Sequence, residues 1–564
     1  MILIDYLIGF MEDNIEFLTF PKLISSLRGC TDYVGYPVGL CRDFLASNQP
    51  LIFIPALLIA KLVDPVLAFN LIVLGGTILN FFFAYRFFKK LFGRFIAVLL
   101  STVFFFSPYL AYQSRSHFDL LQFWPVIWFL DTFFFSQSRH KAVFLGLLLT
   151  LITGISNYLG YFTVLFMVLY LTFCFLVRPN KALTLKLYYR NVIKGTVVFM
   201  LSSALFMAPY VKANFFMPRV RVEINTNEKA VNRPFEDFVT FSSRPWYYLL
   251  PSVDNPFLGR LSQNVLAKLA DRGNYLTQNY FKAEHSASYL GWINLSLALV
   301  GVISLFRQKI SLQMPALINY SALLMAIVGL IILTMPPSIS LNGVTLYSPS
   351  YILFEIFPMF RVLTRMGVLI LFLTLIFTGF GYLALVNLLV ARNISRKVIQ
   401  LTLLVLALFS MSEFFIPLKV THVGTPPKVY TYLETTGLPK SPIVVYPYNK
   451  TNEAFFWMTA HKQPLINPRF YENKETGFVS EDFTKMLTTA GGLEVAQNMG
   501  AKYLVYFYED GRNEDADFFA TSPLLMQVDG FKEKDPVERQ IGAFVRIIEA
   551  GSSVTNSAIL YKFK

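Results

Sequence analysis

The sequence predicts a polytopic α-helical membrane protein, with about ten or eleven transmembrane helices followed by a C-terminal extracytoplasmic α/β domain. Three observations predict it. Long apolar runs are separated by five tight clusters of Lys and Arg. Apolar residues make up 55% of the 564 residues and charged ones only 15%, with a mean hydropathy of +0.51. Past Thr421 the chain becomes more charged and is punctuated by Pro and Gly.

The net charge of +14 is first an orientation signal. The clusters are Lys89/Lys90/Arg94, Arg139/Lys141, the stretch 178–194, Arg307/Lys309 and Arg392/Arg396/Lys397, and short basic loops between spanning helices stay on the cytoplasmic side. A nucleic-acid partner would need these cations on one soluble face, so no nucleic acid is expected.

A span needs about 20 apolar residues. The runs that qualify are 66–88, 94–113, 118–136, 142–157, 159–177, 193–212, 288–306, 314–334, 362–388 and 398–417. Placing every basic cluster inside puts Arg115/His117, Asn157/Tyr158, the loops 213–287 and 335–361, and everything after 417 outside. No loop contradicts another. The apolar run 51–63 is about 13 residues, too short to cross, and Asp64-Pro65 ends it, so it predicts a helix in the outer interface. Residues 1–11 are apolar apart from Asp5 and about half a span long; read as the end of a first transmembrane helix, they make eleven spans with the N-terminus inside. They have neither a basic flank nor a small-residue cleavage site, so no signal peptide is expected. The predicted organisation is a membrane domain over 1–417, with outer loops 12–65, 213–287 and 335–361, and an outer domain over 418–564. The predicted location is the cytoplasmic (inner) membrane.

Within the outer domain, strand-like runs fall at 442–448, 503–508, 544–548 and 558–563. Helical patterning covers 453–461 and 481–499, with Gly500 as a stop. The 57 Phe and 30 Tyr suit lipid-facing and interfacial positions. Trp457 and Tyr446 suit a packed core or contact with a carbohydrate. Cys30 and Cys41 fit either a disulfide in an extracytoplasmic loop or two free thiols, and no zinc spacing is present.

Charge near the outer helix ends is costly unless used or hydrated, which singles out three groups. Asp13, in Met11-Glu12-Asp13-Asn14, is placed to take a proton from an acceptor hydroxyl at the membrane surface; the alternative is a solvated capping acid. Arg115, His117 and Asp119 share a very short outer turn, where Arg115 and His117 suit either a phosphate or acceptor contact or simple interfacial anchoring. Arg361 and Arg365, four residues apart, would share one helix face and suit an oxyanion such as a lipid phosphate. The chain contains no G-x-x-x-x-G-K-S/T, H-E-x-x-H or G-x-S-x-G, the signatures of ATP-driven transport, metalloprotease and serine hydrolase chemistry.

Several stretches resemble the GT-C superfamily of membrane glycosyltransferases, especially its YfhO-like and related uncharacterised bacterial types. Asp13 resembles the family's acid at the start of the first outer loop, and Tyr36-Pro37-Val38-Gly39-Leu40 its following Y-P-x-G stretch. Ser107-Pro108-Tyr109 with His117 is similar to its S-P-Y…H element. Leu249-Leu250-Pro251-Ser252 and Tyr289-Leu290-Gly291 resemble its L-P-S…Y-L-G pair, and Phe357-Pro358 with Arg361 and Arg365 its P-x-x-x-R-x-x-x-R element. The first helix is shorter than the family's, and Glu12 is the only acid beside Asp13. The resemblance implies transfer of a sugar from a polyprenyl-phosphate donor to an extracytoplasmic lipid, polymer or protein acceptor, such as a glycan. In that reading Asp13 is the general base, Arg361 and Arg365 bind the donor phosphate, and Arg115 or His117 assists. A divalent cation, Mg or Mn, would have Asp13 and Glu12 as its ligands. The alternative function is a non-enzymatic lipid-linked glycan transporter or envelope-assembly factor.

Overall fold

The computed structural model describes residues 2–9, 15–24, 28–47, 49–177, 181–212, 233–270, 280–307, 318–341, 344–436, 440–469, 471–473, 478–508, 513–541 and 545–564. Among these, six helices are long and apolar enough to cross a membrane: Pro65–Phe105, Asn157–Val177, Val192–Tyr210, Lys282–Phe306, Leu363–Ala391 and Arg396–Phe414. Shorter apolar helices at Trp124–Phe135, Lys141–Ile155 and Tyr320–Thr334 occupy three more of the predicted spans, and Pro50–Leu62 forms the short helix expected at 51–63. At 12 and 15 residues the first two of these fall short of a hydrocarbon core of ~30 Å. Polar Ser136 and Ser156 end them early.

The segment Pro65–Phe105 contains two predicted spans. Its backbone is helical on both sides of Gly93, whose φ of 78° breaks the helix. The Phe81 and Phe105 rings lie 6.4 Å apart, so the chain folds back on itself at Gly93 and the halves run side by side. The cluster Lys89/Lys90/Arg94 therefore sits at a reversal, as the basic-loop reading requires. At the same end Asp131 is buried and takes Lys90 Nζ at 2.5 Å and Arg86 Nη2 at 3.4 Å.

Gly367–Ala391 is the central helix, with every residue from Gly367 to Tyr382 buried. Its lack of a polar face is what a helix surrounded by protein shows. The rings of Phe87, Phe88, Phe104 and Phe123 gather around Phe372 at centroid distances of 5.1 to 6.1 Å. These phenylalanines fill the core rather than face lipid, which corrects the compositional reading for them. Offset and edge-on ring pairs add about 0.5–1.5 kcal/mol each beyond their burial.

The C-terminal region supplies five strands of a six-stranded mixed sheet. Ile443–Tyr446 pairs in parallel with Tyr503–Phe507, which pairs antiparallel with the end of Val545–Phe563. The beginning of that long strand pairs in parallel with Leu418–His422. The runs at 544–548 and 558–563 are thus two stretches of one strand. Leu525–Ile541, which pairs with it throughout, was not expected, because its charges and Pro536 read as loop and its register shifts three times. Ser480–Met486 and Ala490–Asn498 divide the helix expected at 481–499, and Gly500 ends it with φ 90°. Trp457 and Tyr446 are buried in packed clusters.

The N-terminus differs from expectation. Ile2–Asp5 is one helical turn and Tyr6–Ile8 is a strand, antiparallel to Leu418–His422. These residues do not end a spanning helix, so they add no eleventh span. Buried Asn70 clips the strand in place: its Oδ1 accepts from Ile8 N at 2.9 Å and its Nδ2 donates to Tyr6 O at 2.7 Å. A second outer segment joins the same region. Cys30 and Cys41 form a disulfide across the hairpin Arg28–Thr31/Leu40–Asp43, and the Tyr471 hydroxyl donates to Gly35 O and Gly39 O at 3.2 Å. The Y-P-x-G stretch is the turn held by that hydroxyl.

Candidate functional site

Segments that charge patterning assigns outside meet at one end of the helical bundle. Pro108–Ser116 is a short helix with Pro108 in its first turn, and it carries Arg115 and the Ser116-His117 corner. Lys282–His285 and the 3-10 turn Ser286–Ser288 pack against it, and the 3-10 turn Leu363–Met366 packs on both of those. A Cβ on Gly367, which follows that turn, would stand 2.1 Å from Ala287 O, so glycine lets the start of the next helix touch the Ser286–Ser288 turn.

At the centre, Arg365 and Glu284 form a buried two-pronged pair, Nε to Oε2 at 2.9 Å and Nη2 to Oε1 at 2.6 Å. The Arg365 guanidinium lies 4.9 Å over the Tyr158 ring. His117, half-buried, is within electrostatic reach of both Glu284 and Asp119, and its Nδ1 shares a proton with Ser116 Oγ at 2.9 Å. Asp119 accepts from Gln49 Nε2 at 3.0 Å. Towards the surface, Arg361 pairs with Asp237 and lies 5.1 Å over Phe241. Phe360, just before it, stacks on Tyr161 with centroids 4.3 Å apart and planes 9° apart.

Arg361 and Arg365 do not share a helix face. Arg361 lies ahead of the 3-10 turn that contains Arg365, and the regular helix starts only at Gly367. They diverge, Arg365 inward to Glu284 and Arg361 outward to Asp237. Arg361 is about three times as exposed, 29% against 10% for the side chains.

Arg115 is a buried cross-link. Its Nη2 donates to Pro417 O at 2.7 Å, its Nη1 is 3.7 Å from Asp254, and its guanidinium lies 4.8 Å over the Tyr112 ring. Asp254 also accepts from the Tyr112 hydroxyl at 2.9 Å and from Lys282 Nζ at 3.3 Å. The L-P-S and Y-L-G elements adjoin this hub: Trp292 Nε1 donates to Leu249 O at 2.8 Å and Tyr112 pairs with Ser252 Oγ at 2.9 Å. Burial alone would raise the Asp254 carboxyl, but Lys282, the Tyr112 hydroxyl and Arg115 together hold it below the ordinary 3.8. A depressed carboxylate stabilises the fold above its unfolded pKa and loses that contribution as pH falls through the folded value. Asp254→Asn is therefore expected to lower stability at neutral pH by about 1–3 kcal/mol. The gap from wild type, followed by thermal melting, should close as pH drops below 3.8; a gap independent of pH would refute the charged role.

Asp13 and Glu12 lie outside the described residues. Their described neighbours in the chain do pack against this site. The Gly9 backbone lies directly on that of Arg115, where a Cβ would come within 2.1 Å of the carbonyl, and the Phe17 ring is 5.3 Å from that of Phe118. Among the described residues no three His, Cys, Asp or Glu side chains converge as a cation site.

Sequence reasoning missed Glu284, Asp237 and Asp254, the acids that hold the predicted arginines. Their one local signal was charge within outer loops. Their partners lie 81, 124 and 139 residues away, distances at which spacing carries no information.

No family model matches the sequence, and no curated protein matches it. Among solved structures, cryo-EM structures of the arabinofuranosyltransferase AftD from Mycobacteria match 99% of this chain at 13% identity. The TM-score is 0.51 for one and 0.54 for a mutant form, over 38% and 40% of the AftD chain. The chain thus spans about two fifths of the length of AftD. The oligosaccharyltransferase of Archaeoglobus fulgidus matches 92% of this chain and 66% of its own, at 10% identity and a TM-score of 0.46. The fold is that of the GT-C glycosyltransferases.

Proposed function

We propose that this protein, a membrane protein with the GT-C fold, is a glycosyltransferase that moves a sugar from a polyprenyl-phosphate donor to an extracytoplasmic lipid, polymer or protein acceptor. The observation that carries the proposal is convergence. Arg115 and His117 lie on one segment and Arg361 and Arg365 on another far along the chain, and both pairs reach the same end of the bundle, where the described neighbours of Asp13 also pack.

The chemistry asks for three things: a cation beside the departing polyprenyl phosphate, a base for the acceptor hydroxyl, and a surface that holds the sugar. A phosphate monoester leaves readily, so cation stabilisation matters more than a general acid. Arg361 is the more exposed of the two arginines and meets the phosphate first. Arg365 adds positive charge behind it, with two of its five N–H groups aimed at Glu284. Asp13 takes the acceptor proton, and His117 orients the acceptor. Asp13 and Glu12 would be the ligands of a divalent cation, and loss of turnover in EDTA that Mg or Mn restores is the check on that role.

The test is release of polyprenyl phosphate from labelled polyprenyl-phosphate hexoses by the protein in nanodiscs. We expect turnover with at least one donor. Arg361→Ala should weaken donor affinity by roughly tenfold to a hundredfold, the loss of a charged hydrogen bond. Saturable donor binding that needs Arg361, with no release from any donor, would instead establish the transporter or assembly reading.

A further inference from the structure

The helices Trp124–Phe135, Lys141–Ile155, Asn157–Val177 and Lys181–Val211 leave a cleft of about 230 Å³ between them. Phe129, Leu145, Leu149 and Met167 make its walls apolar, and exposed Val164 and Val168 on one rim open it sideways, towards where lipid would lie. Part of its lining is bare backbone. A Cβ on Gly146 would stand 2.5 Å from Gly195 O, so two helices meet there main chain to main chain, and both glycines line the cleft.

One lining residue does not suit an apolar cleft. Lys141 is half-buried, and its Nζ donates to Phe133 O at 2.5 Å and lies 5.5 Å above the Phe133 ring. An ammonium has three N–H donors, and the carbonyl takes one. Among the described residues Lys141 makes no ion pair with a carboxylate, whereas Lys90 is held by Asp131. A cation set into low dielectric without a counter-charge is costly, so the position favours an anion from outside the chain. It also lies at the end of the bundle marked by basic clusters, with Arg139 two residues before it and Lys194 beside Gly195 on the facing helix. The membrane surface on that side is negative.

We propose that the cleft binds one acyl chain of an anionic glycerophospholipid, with the lipid phosphate at Lys141. The site is separate from the proposed donor site, which lies at the opposite end of the bundle, and it does not depend on that reading. An acyl chain matches the narrow apolar walls, and a phosphodiester head group matches a single cation at the mouth.

The test uses the full chain in nanodiscs containing a trace of phosphatidylglycerol or phosphatidylcholine with a diazirine-bearing acyl chain, photolysed and mapped by peptide. Phosphatidylglycerol should label peptides of the four helices roughly fivefold more than phosphatidylcholine, the preference expected of one basic contact near the surface. Lys141→Met should abolish the preference and Lys141→Arg keep it. Equal labelling by the two lipids in the wild type, or an undiminished preference in Lys141→Met, overturns the proposal. A second measurement needs no variant: added phosphatidylglycerol should raise the melting temperature of the detergent-solubilised wild type more than phosphatidylcholine does, and equal shifts overturn it as well.

Discussion

Replacing Glu284 by Ala is expected to cost about 3–5 kcal/mol of stability, because it leaves the Arg365 guanidinium buried without its carboxylate. The pair is two-pronged, both side chains are about nine-tenths covered, and it joins the segment before one spanning helix to the turn that begins another. The loss should therefore appear as a lower melting temperature of the whole membrane region, together with loss of donor turnover. The double variant Glu284→Met/Arg365→Met removes both charges and should recover much of the melting temperature, since a buried pair contributes little net stability over apolar residues of similar size. It should not recover turnover if Arg365 serves the donor phosphate. A Glu284→Ala protein that melts with the wild type would mean that water reaches Arg365 and that the pair is not a closed contact.

Asp13→Asn should lower turnover by about 10²–10⁴-fold, the usual contribution of a positioned general base. The amide keeps the size of the side chain and cannot take the proton. Donor binding should be unchanged, because the proposed phosphate contacts are made by other residues. Glu12→Gln serves as the control: a similar fall there would assign the base to the neighbouring acid, and full activity in Asp13→Asn would remove Asp13 from the mechanism.

Local pattern carried the architecture well and the site only in part. Apolar runs broken by basic clusters located the helices, and the turn at Gly93 falls inside the first cluster. The short continuous apolar run Ile443–Tyr446 reads as a strand because Ile, Val and Tyr suit a pleated surface, and it is buried on both faces. The apolar run 362–388 gives no sign that its first residues form a 3-10 turn, so the two arginines were placed on a shared face they do not have. What turns them apart is Asp237 and Glu284, whose pairing depends on tertiary register. The strand Tyr6–Ile8 was illegible for the same reason: three residues have no periodicity, and their partner is at Leu418–His422.

That strand also sets a timetable. The Thr421 hydroxyl reaches Gly9 O across 412 residues of chain, and no nearer segment supplies the strand that Tyr6–Ile8 pairs with in this sheet. At a synthesis rate of about 5–20 residues per second, these first residues wait roughly 20–80 s before their partner exists. Through that interval Tyr6–Ile8 has no sheet to join. The pairing of Tyr6–Ile8 is thus among the later contacts of the molecule, and the C-terminal half of the chain closes it.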